Sequence, residues 1–199
     1  MPYAFFGSAI CLFCLATAFQ NSAGGQKIEF TNPSFEDTPR ANASPAGWGS
    51  NTPNSTPDIL PGAWGLQCKP KDGRTCIGLV TREDGTREDF GQLLKSPLQK
   101  DICYTFSIYL AHLPKYVGHN QPIRLRIWGG SSKGAKEQLL DSSELVDHED
   151  WKLYKFQFTP AKELRYISFE AYFGPGVLFK YKGNILLDQC SAIERCDRA

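Results

Sequence analysis

CYTFSIYLA (103–111) places Tyr104, Phe106, Ile108 and Leu110 on one side and Thr105, Ser107 and Tyr109 on the other. An apolar/polar alternation with period two is the pattern of a strand with one face buried and one face wet. Downstream, IRLRIW (123–128), WKLYKFQF (151–158), YISFEAYF (166–173) and NILLDQCSAI (184–193) have strand length and are rich in aromatic and β-branched residues. Upstream, TCIGLVT (75–81) and DFGQLL (89–94) flank Asp84-Gly85, a hairpin-turn pair, and KIEFT (27–31) predicts a short first strand that stops at Asn32-Pro33. KGAKEQLLDSSELV (133–146) is the one helical candidate, and Gly134 and paired serines interrupt it. Seven or eight strands without interleaved helices predict an all-β fold, an antiparallel β-sandwich. Long loops favour a jelly roll over an immunoglobulin-type domain.

The 199 residues carry 22 Lys+Arg against 21 Asp+Glu, a net charge of +1, so no electrostatic footprint for nucleic acid exists. With 41% hydrophobic residues the chain holds enough apolar material for one packed core. Residues 4–19 form an uncharged apolar run followed by small residues, which predicts a secretory signal over 1–23 and a single domain over 24–199. The run is shorter than the ~20 residues of a membrane span, so no membrane insertion is expected after signal cleavage. Residues 32–74 hold most of the prolines together with Trp48 and Trp64, a long loop region pinned by aromatics.

Cys11 and Cys14 lie in the leader, which leaves Cys68, Cys76, Cys103, Cys190 and Cys196. None of these forms a C-x-x-C pair and histidine is scarce, so disulfides are expected in preference to zinc. Cys68 and Cys76 bracket KPKDGRT and close it locally, while Cys103 pairs with Cys190 or Cys196. Two glycosylation sequons, at Asn42 and Asn54, fall in the Pro-rich stretch.

NPSFED (32–37), Gly47-Trp48, QLL (92–94), CYTFS (103–107), Trp151 with YKF (154–156), and ILLD (185–188) occur in an order that resembles the galactose-binding-like jelly-roll domains. That group includes many carbohydrate-binding modules of secreted bacterial enzymes. TPDILPGAWG (56–65), REDGT (82–86) and LRIWGG (125–130) are similar to stretches of uncharacterised bacterial extracellular domains. The resemblance implies a secreted, non-catalytic binding domain for carbohydrate or cell-surface glycan. It also implies a structural calcium ion held by Glu36 and Asp188, hard oxygen ligands from the two ends of the chain.

Sugar rings stack their C–H faces on flat aromatics while their hydroxyls take hydrogen bonds from polar groups. Trp64 and Tyr116, in loops, are therefore the candidate platforms, and Arg82, Asp84 and Glu88 around the hairpin are candidate hydrogen-bonding partners. Trp128 and Trp151, at strand ends, are expected in the core. GSSKG (130–134) matches a nucleophile-elbow pattern around Ser132, yet it lacks the strand-turn-helix setting which that chemistry needs. Asp147, His148, Glu149 and Asp150 read as a charged turn. Glu170 is the acidic residue set well inside a strand, with no partner visible for glycoside hydrolysis. The sequence thus predicts a non-enzymatic carbohydrate-binding module. A structural or adhesive protein-interaction domain is the alternative, and a glycan-active hydrolase or lyase ranks third.

Overall fold

The computed structural model describes Met1 and residues 27–174 and 176–196. The segment 1–23 expected to be a signal, with Cys11 and Cys14, lies outside the described residues apart from Met1. In chain order the strands are β1 (Gly49–Ser50), β2 (Asp58–Leu60), β3 (Cys76–Thr81), β4 (Asp89–Leu98), β5 (Tyr104–Ala111) and β6 (Gln121–Pro122). They continue with β7 (Arg124–Gly130), β8 (Gln138–Ser142), β9 (Lys152–Phe158), β10 (Leu164–Tyr172), β11 (Gly183–Asp188) and β12 (Glu194–Arg195). A 3-10 turn, Ala63–Gly65, follows β2. One sheet runs β1-β4-β10-β7-β8; the other runs β12-β5-β11-β3-β2, with β9 on β5 and β6 on β11. Every pairing is antiparallel except the two-residue contact of β6 with β11. This is the predicted all-β antiparallel sandwich.

The period-two reading of β5 holds residue by residue: Tyr104, Phe106, Ile108 and Leu110 are buried and the alternate positions through Tyr109 are half-exposed. Phe106 joins Phe30, Phe35, Trp48, Phe90 and Phe169 in an aromatic cluster between the sheets, with ring centroids 5.1–6.2 Å apart. Such tilted and edge-on pairs add to the burial of large apolar area. Trp48 anchors the Pro-rich region to this core and donates its indole N–H to the Asn32 carbonyl at 3.0 Å.

Three expectations change. The stretch 75–94 turns at Asp84-Gly85, with Gly85 at φ 87°, but β3 and β4 meet only at the Thr81–Arg87 bridge and then join opposite sheets. Both strands are apolar enough to need their own sheet neighbours, β2 and β11 for β3, β1 and β10 for β4. The helical candidate is a turn followed by β8, because Gln138–Ser142 finds ladder partners on β7. KIEFT contributes a single bridge, Ile28 to Ile193.

The cysteines also sort differently. The β12–β5 register pairs Arg195 with Tyr104, and one step further it brings Cys196 opposite Cys103, where the two form the disulfide. Cys190, the other candidate, is a free thiol inside the main core, so its assignment to a bridge is corrected. Cys68 and Cys76 are unbonded thiols whose sulfurs stand 3.3 Å apart.

Candidate functional site

β3 alternates between two cores. Ile77 and Leu79 point between the sheets, whereas Cys76 and Val80 point outward into a second apolar cluster with Leu60, Ala63, Leu66 and Tyr116. Two loops cover this outer face. The first, Pro61–Leu66, is closed by Gly62 N–H to Leu66 O at 2.7 Å and Gly65 N–H to Gly62 O at 3.0 Å, and it turns Trp64 into the left-handed region at φ 55°. The second, 112–120, is fastened by Asn184 of β11. Its buried amide accepts from Leu113 N–H at 3.0 Å and donates to the carbonyls of Leu113 at 2.9 Å and His119 at 2.6 Å.

Between these loops lies a cavity of about 240 Å³. Its floor is Val80 and the ring of Tyr116; Trp64 and Val117 flank it, and Arg82, Glu88, Thr56, Asn42 and His119 supply the polar groups. Asp58 organises the walls. Its Oδ2 accepts from Tyr116 O–H at 2.8 Å, and its Oδ1 accepts from Asn42 N–H at 3.0 Å and from Trp64 Nε1 at 3.1 Å. Trp64 is thereby fixed by its edge while 58% of its surface stays open. Tyr116, expected to be an exposed platform, is only 2% exposed, because its hydroxyl is drawn inward to Asp58. Burial, followed by the Asp58 carboxylate, holds its phenol pKa well above the usual value.

Glu88 accepts from Arg82 at 2.5 Å, from Thr56 Oγ1 at 3.0 Å and from Val80 N–H at 3.1 Å. Burial raises its carboxyl to about 7, with Arg82 and the hydrogen bonds pulling the other way. Burial likewise lowers the His119 pKa, opposed by carbonyls of its own loop, and His119 Nδ1 is enclosed without a hydrogen-bond partner among the described residues.

Of the five ligand residues read from the sequence, the structure thus brings Trp64, Tyr116, Arg82 and Glu88 to one cavity. Asp84 stays at the hairpin tip, bonded to Thr86 N–H at 2.8 Å and Oγ1 at 2.7 Å. Asp58, Asn42, Thr56, Val117 and His119 were not anticipated. Asp58 sits in the quoted TPDILPGAWG stretch, a signal that was available; nothing local marks the others.

Trp128 and Trp151, expected in the core, are half-buried: the Trp128 indole donates to the buried Glu170 carboxylate at 2.7 Å, and Trp151, packed against the second apolar cluster, donates to the Lys69 carbonyl at 2.8 Å. Trp151 lines a second depression of about 560 Å³ with Lys69, His112 and Glu149. Glu170 does have a neighbour, since Asp89 lies directly opposite it in the β10–β4 register. Lys136 bridges the two carboxylates, Arg87 donates to Glu170 at 2.8 Å, and Thr52 donates to Asp89 through N–H and Oγ1. Burial pushes the Glu170 pKa up, but these cations and Trp128 lower it overall. Both carboxylates are buried and saturated with donors, an arrangement that braces the sheet and offers no free acid or base. Ser132 lies in the turn between β7 and β8.

Glu36 and Asp188 meet at one loop, but through its amides. Asp188 Oδ2 accepts from Lys71 N–H at 2.7 Å and Asp72 N–H at 3.0 Å, while Glu36 Oε1 accepts from Arg74 N–H at 2.9 Å and Thr75 N–H at 3.1 Å. A calcium ion takes 6–8 oxygens at about 2.3–2.6 Å. Carboxylates aimed at N–H donors do not make such a cage, and no cluster of three or more His, Cys, Asp or Glu suited to a metal occurs among the described residues. The donor set as placed does not fit calcium.

No family model matches this chain, and no curated protein matches it in sequence. Among solved structures it is similar to the CBM22-1 xylan-binding domain of Paenibacillus barcinonensis Xyn10C, with 14% identity, TM-score 0.54, and 88% of this chain and 97% of that one covered. It is also similar to the K3 cleaved adhesin domain of Lys-gingipain from Porphyromonas gingivalis, at 14% identity and TM-score 0.53 over 85% and 99% of the chains. A third likeness, to the arabinose-bound α-L-arabinofuranosidase MgGH51, has 13% identity and TM-score 0.61, and covers 87% of this chain but 27% of the enzyme. At these identities the shared feature is the jelly-roll sandwich.

Proposed function

We propose that this protein is a secreted, non-catalytic binding module that takes a sugar ring in the cavity beside Trp64. The observation that carries the reading is the Trp64 indole itself, locked by Asp58, open to solvent and set at the mouth of a concavity whose rim carries Arg82, Asn42 and His119. A rigid aromatic face with hydrogen-bonding groups at its edge matches the two surfaces of a pyranose. Support for export comes from the Cys103–Cys196 disulfide, a bond of oxidising compartments. The saturated Asp89–Glu170 pair supports binding without catalysis.

The test is retention of folded protein on insoluble polysaccharides and on a glycan array, wild type against Trp64→Ala. Truncating a central aromatic anchor typically costs about 2 kcal/mol or more, so retention should fall about 30-fold. Failure of the folded wild type to bind any glycan would overturn the reading. Leu178 and Phe179, adjacent and 87% and 85% exposed, favour the adhesive protein-contact alternative, and a protein ligand lost on substituting those two residues would establish it.

A further inference from the structure

The polar groups around the cavity are largely spent on one another. Tyr116 O–H and Trp64 Nε1 both go to Asp58, and Thr56 Oγ1, Arg82 and Val80 N–H all go to Glu88. Open valences remain at the mouth on the guanidinium N–H groups of Arg82 that do not face Glu88, while His119 Nδ1 is enclosed beneath the surface. The apolar surface that a ligand would touch is instead the exposed face of Trp64 and the methyls of Val117, over a floor of the nearly buried Val80 and Tyr116.

Val117 adds an independent observation. Its φ is 42°, in the left-handed region, where a β-branched side chain is an outlier and where Asn or Gly would sit at ease. It is also 55% exposed, so core packing does not explain why an apolar branched residue occupies that position. Trp64, at φ 55°, shares both features. Two apolar side chains held in disfavoured backbone at the lips of one cavity point to a ligand contact, since strain of this kind gathers at clamps for ligands.

A fully hydroxylated pyranose pushed into such a space would leave inward hydroxyls without partners, whereas a methyl group would match the Val80–Val117 wall. The cavity, at about 240 Å³, is also below the ~300–1,000 Å³ of pockets that enclose drug-sized ligands, which suits one ring at a chain end. Resting on the sugar-binding reading above, we propose that this cavity selects a terminal sugar ring that carries a methyl group, on a 6-deoxy carbon or on an acetyl substituent. The methyl points to Val80 and Val117, and the remaining hydroxyls face Arg82.

The experiment titrates the folded, mature protein with matched pairs of monosaccharides, followed by saturation-transfer NMR. L-fucose against L-galactose and L-rhamnose against L-mannose probe the 6-deoxy methyl; N-acetylglucosamine against glucosamine probes the acetyl methyl. At least one methyl-bearing member should bind about tenfold or more tighter than its partner, the scale of one apolar group in a fitted pocket, with the strongest saturation on its methyl protons. Val117→Asn, which suits the left-handed backbone, should fold normally and erase the preference. Equal affinity within every pair, or saturation strongest on ring protons, would overturn the proposal. If no monosaccharide binds while polysaccharide retention persists in Trp64→Ala, the cavity is not the sugar site; the selectivity proposal then falls, and the binding-module reading survives.

Discussion

The ring of Tyr116 lies where a side chain on Gly78 would have to stand: a β-carbon there would meet the phenol's ring carbons at 2.7 and 2.8 Å. Gly78 pairs with Asp58 across the β2–β3 ladder, so the missing side chain lets the phenol cross the strand and reach the Asp58 carboxylate. Gly78→Ala should therefore lift Tyr116 off the sheet and open the cavity floor. A loss of about 1–3 kcal/mol, the usual cost of overpacking, is expected in urea unfolding, with weaker glycan retention. An alanine variant as stable as wild type would mean that Tyr116 is not held as described.

Two buried carboxyls tie stability to pH. Burial raises Glu88 and Asp188 each to about 7, from ordinary values of 4.5 and 3.8, with Arg82 and the loop amides respectively opposing the shift. The folded state therefore keeps these protons longer than the unfolded chain does. Their contribution is complete below the ordinary carboxylate range and is lost as pH rises through about 7. Melting temperature should accordingly fall between pH 5 and pH 8, and Asp188→Asn should flatten that fall. A wild-type profile that rises over this interval would contradict the assignment.

The disulfides give a sharper readout. Peptide mapping without reduction should recover Cys103 linked to Cys196 and Cys190 as a free thiol. Cys68 and Cys76, with sulfurs 3.3 Å apart, should join when the protein is exposed to glutathione disulfide and close the loop that carries the amide donors to Asp188. Removing the Cys103–Cys196 bond, which spans 93 residues, should cost about 2–5 kcal/mol. A Cys103–Cys190 peptide would overturn the β12 register.

Calcium is tested by melting the protein in millimolar calcium and in chelator at matched ionic strength. Glu36 and Asp188 already accept amide hydrogen bonds from the 71–75 loop, so the two curves should coincide. A rise in melting temperature with calcium that Asp188→Ala abolishes would show that the carboxylates turn from the loop to an ion.

Strand positions and their inner and outer faces were legible in the sequence, because alternation along a strand is a local property: β5 buries the four residues its pattern names. The fold class followed from the same signal, and Trp64, Arg82 and Glu88, named from the sequence, line one cavity in the fold. Partner choice was not local. Whether β4 lies beside β3 or crosses to the opposite sheet depends on β1 and β10, which are remote in the chain, and the cysteine pairing depends on the β12 register. The same holds for chemistry. Tyr116 and Trp64 look like free platforms until Asp58 draws one inward and pins the other by its edge, and Glu170 looks unpartnered until the β4 register sets Asp89 beside it. Residue types and their periodicity determined what each segment buries; only the folded chain decided which polar groups satisfy each other, and so which surfaces remain open to a ligand.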